Sequence, residues 1–263
     1  MTRQDDSKSK ASDSQIHQEM PLIEHLLELR NRLLKMVLAV LICFAAIYPF
    51  ANELYLWISE PLRALLPVGQ TMIATDVTAP FFAPLKLALV LAVFVAIPII
   101  LYQLWSFIAP GLYAHEKRLA FPLLFTSIIL FYLGAAFAYF VVFPLVFGFF
   151  TAIGPEGIVE LPDITSYLNF VLKMFFAFGV AFEIPIATIL LILTGATTPK
   201  DLAEKRPYIV VGCFVVGMLL TPPDIISQTL LALPMWLLFE MGILFGRLAQ
   251  REREQTEEET SQS

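Results

Sequence analysis

The chain has 263 residues, of which 58% are hydrophobic and 15% charged, and its mean hydropathy is +0.75. Soluble domains are usually about 45–50% apolar, so this composition excludes an ordinary soluble domain and predicts a polytopic membrane protein. The net charge of −6 argues against a nucleic-acid partner, and Cys43 and Cys213 lie in apolar runs that predict neither a disulfide framework nor a thiolate metal site.

Six apolar segments between two polar tails predict an all-α integral membrane protein. Residues 1–20 and 248–263 are polar, the second stretch also acidic, and both are expected to be disordered. Residues 21–247 form the predicted six-helix domain, with spans at about 33–51, 82–106, 119–147, 166–194, 207–221 and 226–246. Most spans reach the roughly 20 residues that a helix needs to cross about 30 Å of hydrocarbon.

The last two spans are expected to be a short hairpin. Residues 207–221 give only about 22 Å of helix. The turn "TPPD" follows, in which Pro222 and Pro223 cannot donate backbone hydrogen bonds and Asp224 begins the return. Prolines 98, 122, 144, 185 and 234 lie inside or at the ends of spans and are expected to bend them. Bent and short spans together predict a curved, concave body.

The distribution of basic residues predicts that both termini are cytoplasmic. Lys and Arg concentrate before the first span, after the sixth, and in the loops between spans two and three and between four and five. Only Arg63, Lys86 and Lys173 fall elsewhere. Short basic loops remain on the cytoplasmic side, so all four basic regions are placed there.

The strict requirements of catalysis are not met. The histidines, His17, His25 and His115, all lie outside the predicted spans, so an intramembrane serine hydrolase has no base at depth. The sequence contains no HExxH motif, phosphate-binding loop or dinucleotide-binding glycine pattern. We therefore expect no catalytic residue, metal site or cofactor.

One set of polar residues lies in "PLIEHLLELRNRLL" (21–34) and "FIAPGLYAHEKRL" (107–119), at the predicted cytoplasmic surface. The first stretch has the spacing of an amphipathic entry helix. The simplest interpretation is that Glu28 pairs with Arg32 four residues later. Alternatively, Glu28 and Glu116, two acids at one membrane face, together bind a cationic partner.

A second set lies within the spans and consists of Lys86, Lys173, Glu183 and, nearer the inside, Glu240. The two lysines are near span ends, where they can extend to the interface. Glu183 is too deep for that, and an acid at such depth is rare because its burial is costly. It is expected to form an internal salt bridge, to be a protonated acid bonded to a neighbouring helix, or to meet a partner.

Several stretches resemble the signatures of the TatC family, the multispanning receptor of the twin-arginine protein translocase. They are "PLIEHLLELRNRLL", "MIATDVTAPFFAPLKLAL", "FIAPGLYAHEKRL", "YFVVFPLVFGFF", "FGVAFEIPIA", "KRPYIVVGCFVVGMLLTPPD" and "SQTLLALPM". The resemblance extends from Pro21 to about Arg247 and leaves out only the tails.

The resemblance implies a receptor for signal peptides with consecutive arginines, which exports folded proteins across the bacterial cytoplasmic (inner) membrane at the expense of the proton gradient. It also implies self-association and small single-span partner subunits of the TatA and TatB types. The family's signal-binding carboxylates fall on Glu28 and Glu116, and its intramembrane acid on Glu183. Two adjacent arginines suit two acids, since a carboxylate matches the guanidinium fork.

Apolar surface for the hydrophobic part of a signal peptide is assigned to Phe107, Leu22 and Leu112. The alternative function is a proton-coupled small-solute transporter, because intramembrane Lys and Glu residues mark ion pathways in such proteins. The lack of a repeated half and the single deep acid argue against it.

Overall fold

A computed structural model of the chain describes the backbone of residues 5–64, 72–108, 117–153, 162–221 and 225–262. Side chains are described for most of these ranges between residues 26 and 250. The regular elements in this part of the chain are helices, apart from one isolated bridge between Ile73 and Asp163. The predicted all-α membrane fold is therefore confirmed.

The helices are α1 (Asp5–Ile47), α2 (Ala51–Ile58), α3 (Glu60–Arg63), α4 (Ala79–Ile108), α5 (Lys117–Phe137), α6 (Phe143–Ile153), α7 (Ile164–Ala181), α8 (Ile184–Leu193), α9 (Pro199–Glu204), α10 (Arg206–Leu220) and α11 (Ile225–Gln262). A 3₁₀ turn at Tyr48–Phe50 joins α1 to α2, and a π-helical turn at Ala138–Val142 joins α5 to α6.

Within the described residues, five helical segments are long and apolar enough to cross a membrane: Leu26–Arg63, Ala79–Phe107, Phe121–Phe150, Ile164–Leu193 and Gln228–Gln250. Helix α10 is a sixth apolar helix of 15 residues, as short as the sequence predicts. Helix α11 is not short, because its apolar part alone has 23 residues. The residues after Arg247 are good helix formers, so the helix continues where the apolar sequence ends.

Helices α1 and α11 extend into the two terminal segments, and the disorder of those segments stays a prediction. Helix α1 begins at Asp5, and α11 extends to Gln262. A helix that is already nucleated in a membrane span extends at little cost, because each further residue adds one hydrogen bond. Polar composition alone does not reveal this continuation.

The prolines act in different ways. Pro98, Pro122 and Pro234 lie inside continuous helices. Pro185 lies in the first turn of α8, directly after the turn that ends α7, so it divides the fourth span into two helices. Pro144 cannot donate to the carbonyl four residues earlier and crowds it. The preceding turn widens accordingly, and the Phe143 amide donates to the Ala138 carbonyl five residues back.

The buried core lies where α4, α5 and α7 meet, and it is rich in aromatic rings. Phe94 of α4 packs against Phe131 of α5 and Phe175 of α7, with centroids 5.1 and 5.8 Å away. Gly134 lets α5 and α7 approach, since a Cβ there would lie 2.4 Å from the Phe178 carbonyl oxygen. Small residues at helix interfaces allow such contacts in membrane proteins.

Helices α10 and α11 form an antiparallel pair that is joined at both ends. Gln228 Nε2 donates to the Phe214 carbonyl at 2.7 Å near the turn. At the other end, Arg206 Nε and Nη2 donate to the two carboxylate oxygens of Glu240 at 2.6 and 2.7 Å. Glu240 is thus a structural partner of Arg206. The turn residues Pro222, Pro223 and Asp224 lie outside the described residues, so their role stays a prediction.

On the opposite membrane face from the start of α10, Asp163 connects two loops. It accepts bonds from the Ser166 amide at 2.8 Å, and from the Thr75 amide and hydroxyl at 3.1 and 2.8 Å. These bonds, led by the one from the Ser166 backbone, lower the pKa of Asp163 to about 2. The carboxylate caps α7 and holds residues 73–75 beside it.

Candidate functional site

Glu28 lies on α1 and is bound to an arginine of the same helix. Arg32 Nε donates to Glu28 Oε1 at 2.9 Å, and Arg32 Nη2 donates to the same oxygen. The pair predicted from the four-residue spacing is therefore confirmed. The Glu28 side chain keeps 43% of its surface exposed, so the carboxylate is open to other donors.

Arg32 also connects α1 to the end of α4. Its Nη2 donates to the Ser106 carbonyl at 3.1 Å, and its Nη1 to the Gln103 carbonyl at 3.5 Å. The last carbonyls of a helix have no partner within that helix and carry partial negative charge, which a cation stabilises. Arg32 is consequently held between the Glu28 carboxylate and the C-terminal turn of α4.

This contact connects the helix that carries Glu28 to the end of α4, where one other predicted binding residue lies. Phe107 directly follows Ser106 and is half-buried in the last turn of α4. Leu112 and Glu116 belong to the connection 109–116, which lies outside the described residues, and the side chain of Leu22 does too. The meeting of Glu28 with Glu116 stays a prediction.

Glu183 lies at the break between α7 and α8, where its carboxylate contacts α5. The Ser127 hydroxyl of α5, which is fully buried, donates to Glu183 Oε2. Glu183 Oε1 is also buried and has no hydrogen-bond partner among the described residues. The hydrogen bond to a neighbouring helix, one of the interpretations left open by the sequence, is therefore observed, and the contact of Glu183 with a partner span stays a prediction.

The close approach of α5 and α7 brings these two side chains together. Ser127 lies seven residues before Gly134, two helical turns away on the same face of α5. The antiparallel α7 contacts α5 at Gly134 and Phe178, and Glu183 follows Phe178 by five residues. The glycine contact therefore sets the register that presents Ser127 to Glu183.

Sequence reasoning missed Ser127 and the second role of Arg32. The signal for Ser127 was present, since it is a hydroxyl within an apolar run and such residues bond across helices in membranes. The contact of Arg32 with the end of α4 joins residues more than 70 positions apart, and no local pattern predicts it.

The family model described as Sec-independent protein translocase protein (TatC) matches residues 24–234. The chain belongs to the TatC family. It is 61% identical over 236 residues to the TatC protein of Azotobacter chroococcum mcd 1, covering 89% of this chain and 92% of that protein. It is 56% identical over 232 residues to TatC of Escherichia coli strain K12, covering 88% and 90%.

A solved structure of the TatC family supports the same fold. The crystal structure described as twin arginine translocase receptor TatC superimposes with a TM-score of 0.77 at 41% identity, covering 86% of this chain and 99% of that one. The chain is therefore a multi-pass membrane subunit of a Sec-independent protein translocase, a component that is not an enzyme. Membership of the TatC family favours a function in protein translocation over the alternative of a small-solute transporter.

Proposed function

We propose that the chain is the receptor subunit of the twin-arginine translocase and that Glu28 and Glu116 bind the consecutive arginines of signal peptides. The observation that carries this proposal is the pairing of Glu28 with Arg32, because it demonstrates that this exposed carboxylate accepts the Nε and Nη donors of a guanidinium. The name of the structurally similar receptor agrees with it.

A signal arginine would bind the second carboxylate oxygen of Glu28. Both bonds from Arg32 go to Oε1, so Oε2 is open to the planar donors of a signal guanidinium. Arg32 keeps its bonds to Glu28 and to the carbonyls of Gln103 and Ser106, so no charge loses its partner. Glu28 and Glu116 would then each add affinity for one of the two arginines.

The apolar part of the signal would continue along the surface formed by Phe107, Leu22 and Leu112. Phe107 supports this assignment, because it directly follows Ser106, whose carbonyl accepts a bond from Arg32. Binding of an apolar signal segment becomes more favourable in proportion to the apolar surface area that is removed from water.

Glu183 would be the polar site for small single-span subunits of the TatA and TatB types. Its Oε1 is buried and has no partner in the part of the chain that the structure describes, and such an atom is costly unless a donor reaches it. A polar group on a partner span would supply that donor. The same proposal includes self-association, coupling to the proton gradient and residence in the bacterial inner membrane. It also places both termini in the cytoplasm, which the asymmetric distribution of basic residues supports.

Binding of a fluorescent twin-arginine signal peptide to the purified chain tests the receptor. Glu28→Gln and Glu116→Gln should each weaken binding by about 1.5 kcal/mol or more, roughly tenfold, because each keeps its size but loses a charge-assisted bond. Glu204→Gln, which changes an exposed acid on α9, is the matched control and should bind normally. Unchanged affinity in both binding-site variants would reject these two acids.

Reconstitution separates the receptor from the alternative. A solute transporter moves its solute when it is the only protein in a vesicle. The receptor should instead require a signal-bearing precursor and the partner subunits before any protein crosses the membrane.

A further inference from the structure

A groove between α4, α7, α10 and α11 has no role in the proposed function. Its volume is about 810 Å³. Three polar side chains, those of Lys86, Asn169 and Lys173, line one end, and apolar side chains line the rest. The polar end lies within the first three turns of α4 and α7, towards the membrane face opposite Glu28.

The apolar wall runs from the polar end towards the middle of the membrane. Lys173, Phe176 and Val180 of α7 line the groove at the spacing of one helix face, and Ile184 at the start of α8 continues this wall. Ile184 follows Lys173 by eleven positions, which corresponds to a rise of about 16 Å along the helix axis. This is about half the roughly 30 Å of hydrocarbon, the depth of one leaflet.

The charge at the polar end is positive. Lys86 Nζ donates to Asn169 Oδ1 across the α4–α7 interface, so it is tied to the neighbouring helix at the head of the groove. Lys173 lies one helical turn after Asn169. Among the described residues that line the groove there is no carboxylate to neutralise the two lysines. Charged groups at this depth favour a counter-ion, since unpaired burial is costly.

We propose that this groove binds one phospholipid with an anionic headgroup. Its phosphate lies against Lys86 and Lys173, because lysine binds phosphate as a compact positive charge. One acyl chain extends along Phe176 and Val180 of α7 and faces Val216 of α10. With the termini in the cytoplasm, the lipid belongs to the periplasmic leaflet.

The charge at the head of the groove favours a lipid over a transmembrane partner helix. A partner helix would have to carry an acid within the membrane at the level of Lys86 and Lys173, where an acid is costly. A phospholipid carries its negative phosphate at the interface, towards which the long lysine side chains can extend.

Native mass spectrometry of the full purified chain tests the site, with phosphatidylglycerol compared against phosphatidylethanolamine of identical acyl chains. The chain should retain phosphatidylglycerol preferentially. Lys86→Gln and Lys173→Gln should each reduce that preference about fivefold, the effect of one basic residue near an anionic surface. Lys205→Gln, which alters an exposed lysine beside α9, is the matched control and should change nothing.

Two further variants separate lipid binding from folding. Lys86→Arg with Lys173→Arg keeps both charges and should keep the preference. Val216→Trp places a larger side chain in the groove without changing its charge and should reduce retention of phosphatidylglycerol. Glycerol phosphate, which has no acyl chain, should not compete with phosphatidylglycerol for binding. Equal retention of the two lipids by the unaltered chain, an undiminished preference in the glutamine variants or in Val216→Trp, or competition by glycerol phosphate would overturn the proposal.

Discussion

Removing either side chain of the Ser127–Glu183 hydrogen bond should change the stability of the chain, but by different amounts for the two residues. Ser127→Ala removes the hydroxyl that contacts Glu183 Oε2, and because the buried Oε1 has no partner already, neither carboxylate oxygen then has a partner among the described residues. An unsatisfied buried group costs about 1–3 kcal/mol, and more when charged. We expect Ser127→Ala to lower the free energy of unfolding by about 1–3 kcal/mol or more.

Glu183→Ala should destabilise the chain less. It leaves the Ser127 hydroxyl unpaired, at about 1–3 kcal/mol, but it also removes a carboxylate whose buried Oε1 has no partner within the described ranges. These two terms oppose each other, so we expect a net change within about 1 kcal/mol. Adding Ser127→Ala to Glu183→Ala should then cost little or restore stability, because no unpaired partner remains.

The assay is a double-mutant cycle of unfolding in detergent, read beside crosslinking to a single-span partner and signal-peptide binding. Thr126→Ala is the matched control, since the adjacent hydroxyl is exposed and donates to the Pro122 carbonyl of its own helix. It should leave stability and partner contact unchanged. Glu183→Ala should reduce partner crosslinking and preserve signal binding.

Two results would refute this reasoning. A loss of about 3–5 kcal/mol in Glu183→Ala, greater than in Ser127→Ala, would indicate that the acid balances a buried cation. Unchanged partner crosslinking in Glu183→Ala and Glu183→Gln would reject the docking role and leave Glu183 as a structural residue.

Three further predictions concern topology, span length and pH. In a cysteine-free background, single cysteines near positions 70 and 157 should react with an impermeant reagent from outside, and those near 113 and 201 should not; reversed labelling would contradict the proposed orientation. Inserting several leucines within 210–218 should impair transport but preserve signal binding, because the longer α10 shifts Arg206 away from Glu240. Normal export by that variant would show that the length of α10 is unimportant. The pKa of Asp163 is depressed from an ordinary value near 4 to about 2, so its stabilising bonds are complete above pH 4 and lost as the pH falls towards 2. The difference in melting temperature between the unaltered chain and Asp163→Asn should shrink over that range, and a constant difference would contradict this origin.

The sequence by itself determined which segments of the chain are helices that lie in the hydrocarbon of the membrane. Apolar runs of about 20 residues can only be helices in hydrocarbon, because the backbone must satisfy its own hydrogen bonds there. The short fifth helix and the break before Pro185 followed from length and from the missing amide of proline. The Glu28–Arg32 pair followed from helical periodicity, and the family followed from quoted motifs.

Only the tertiary structure decided which distant residues meet. Gly134 brings α5 against α7 and so selects Ser127 as the partner of Glu183. The register of α10 against α11 makes Glu240 the partner of Arg206, and the approach of α1 to α4 places Arg32 on the Ser106 carbonyl. These contacts depend on how helices of similar apolar surface pack in three dimensions, and periodicity along one chain states which face is apolar but not which neighbour it meets.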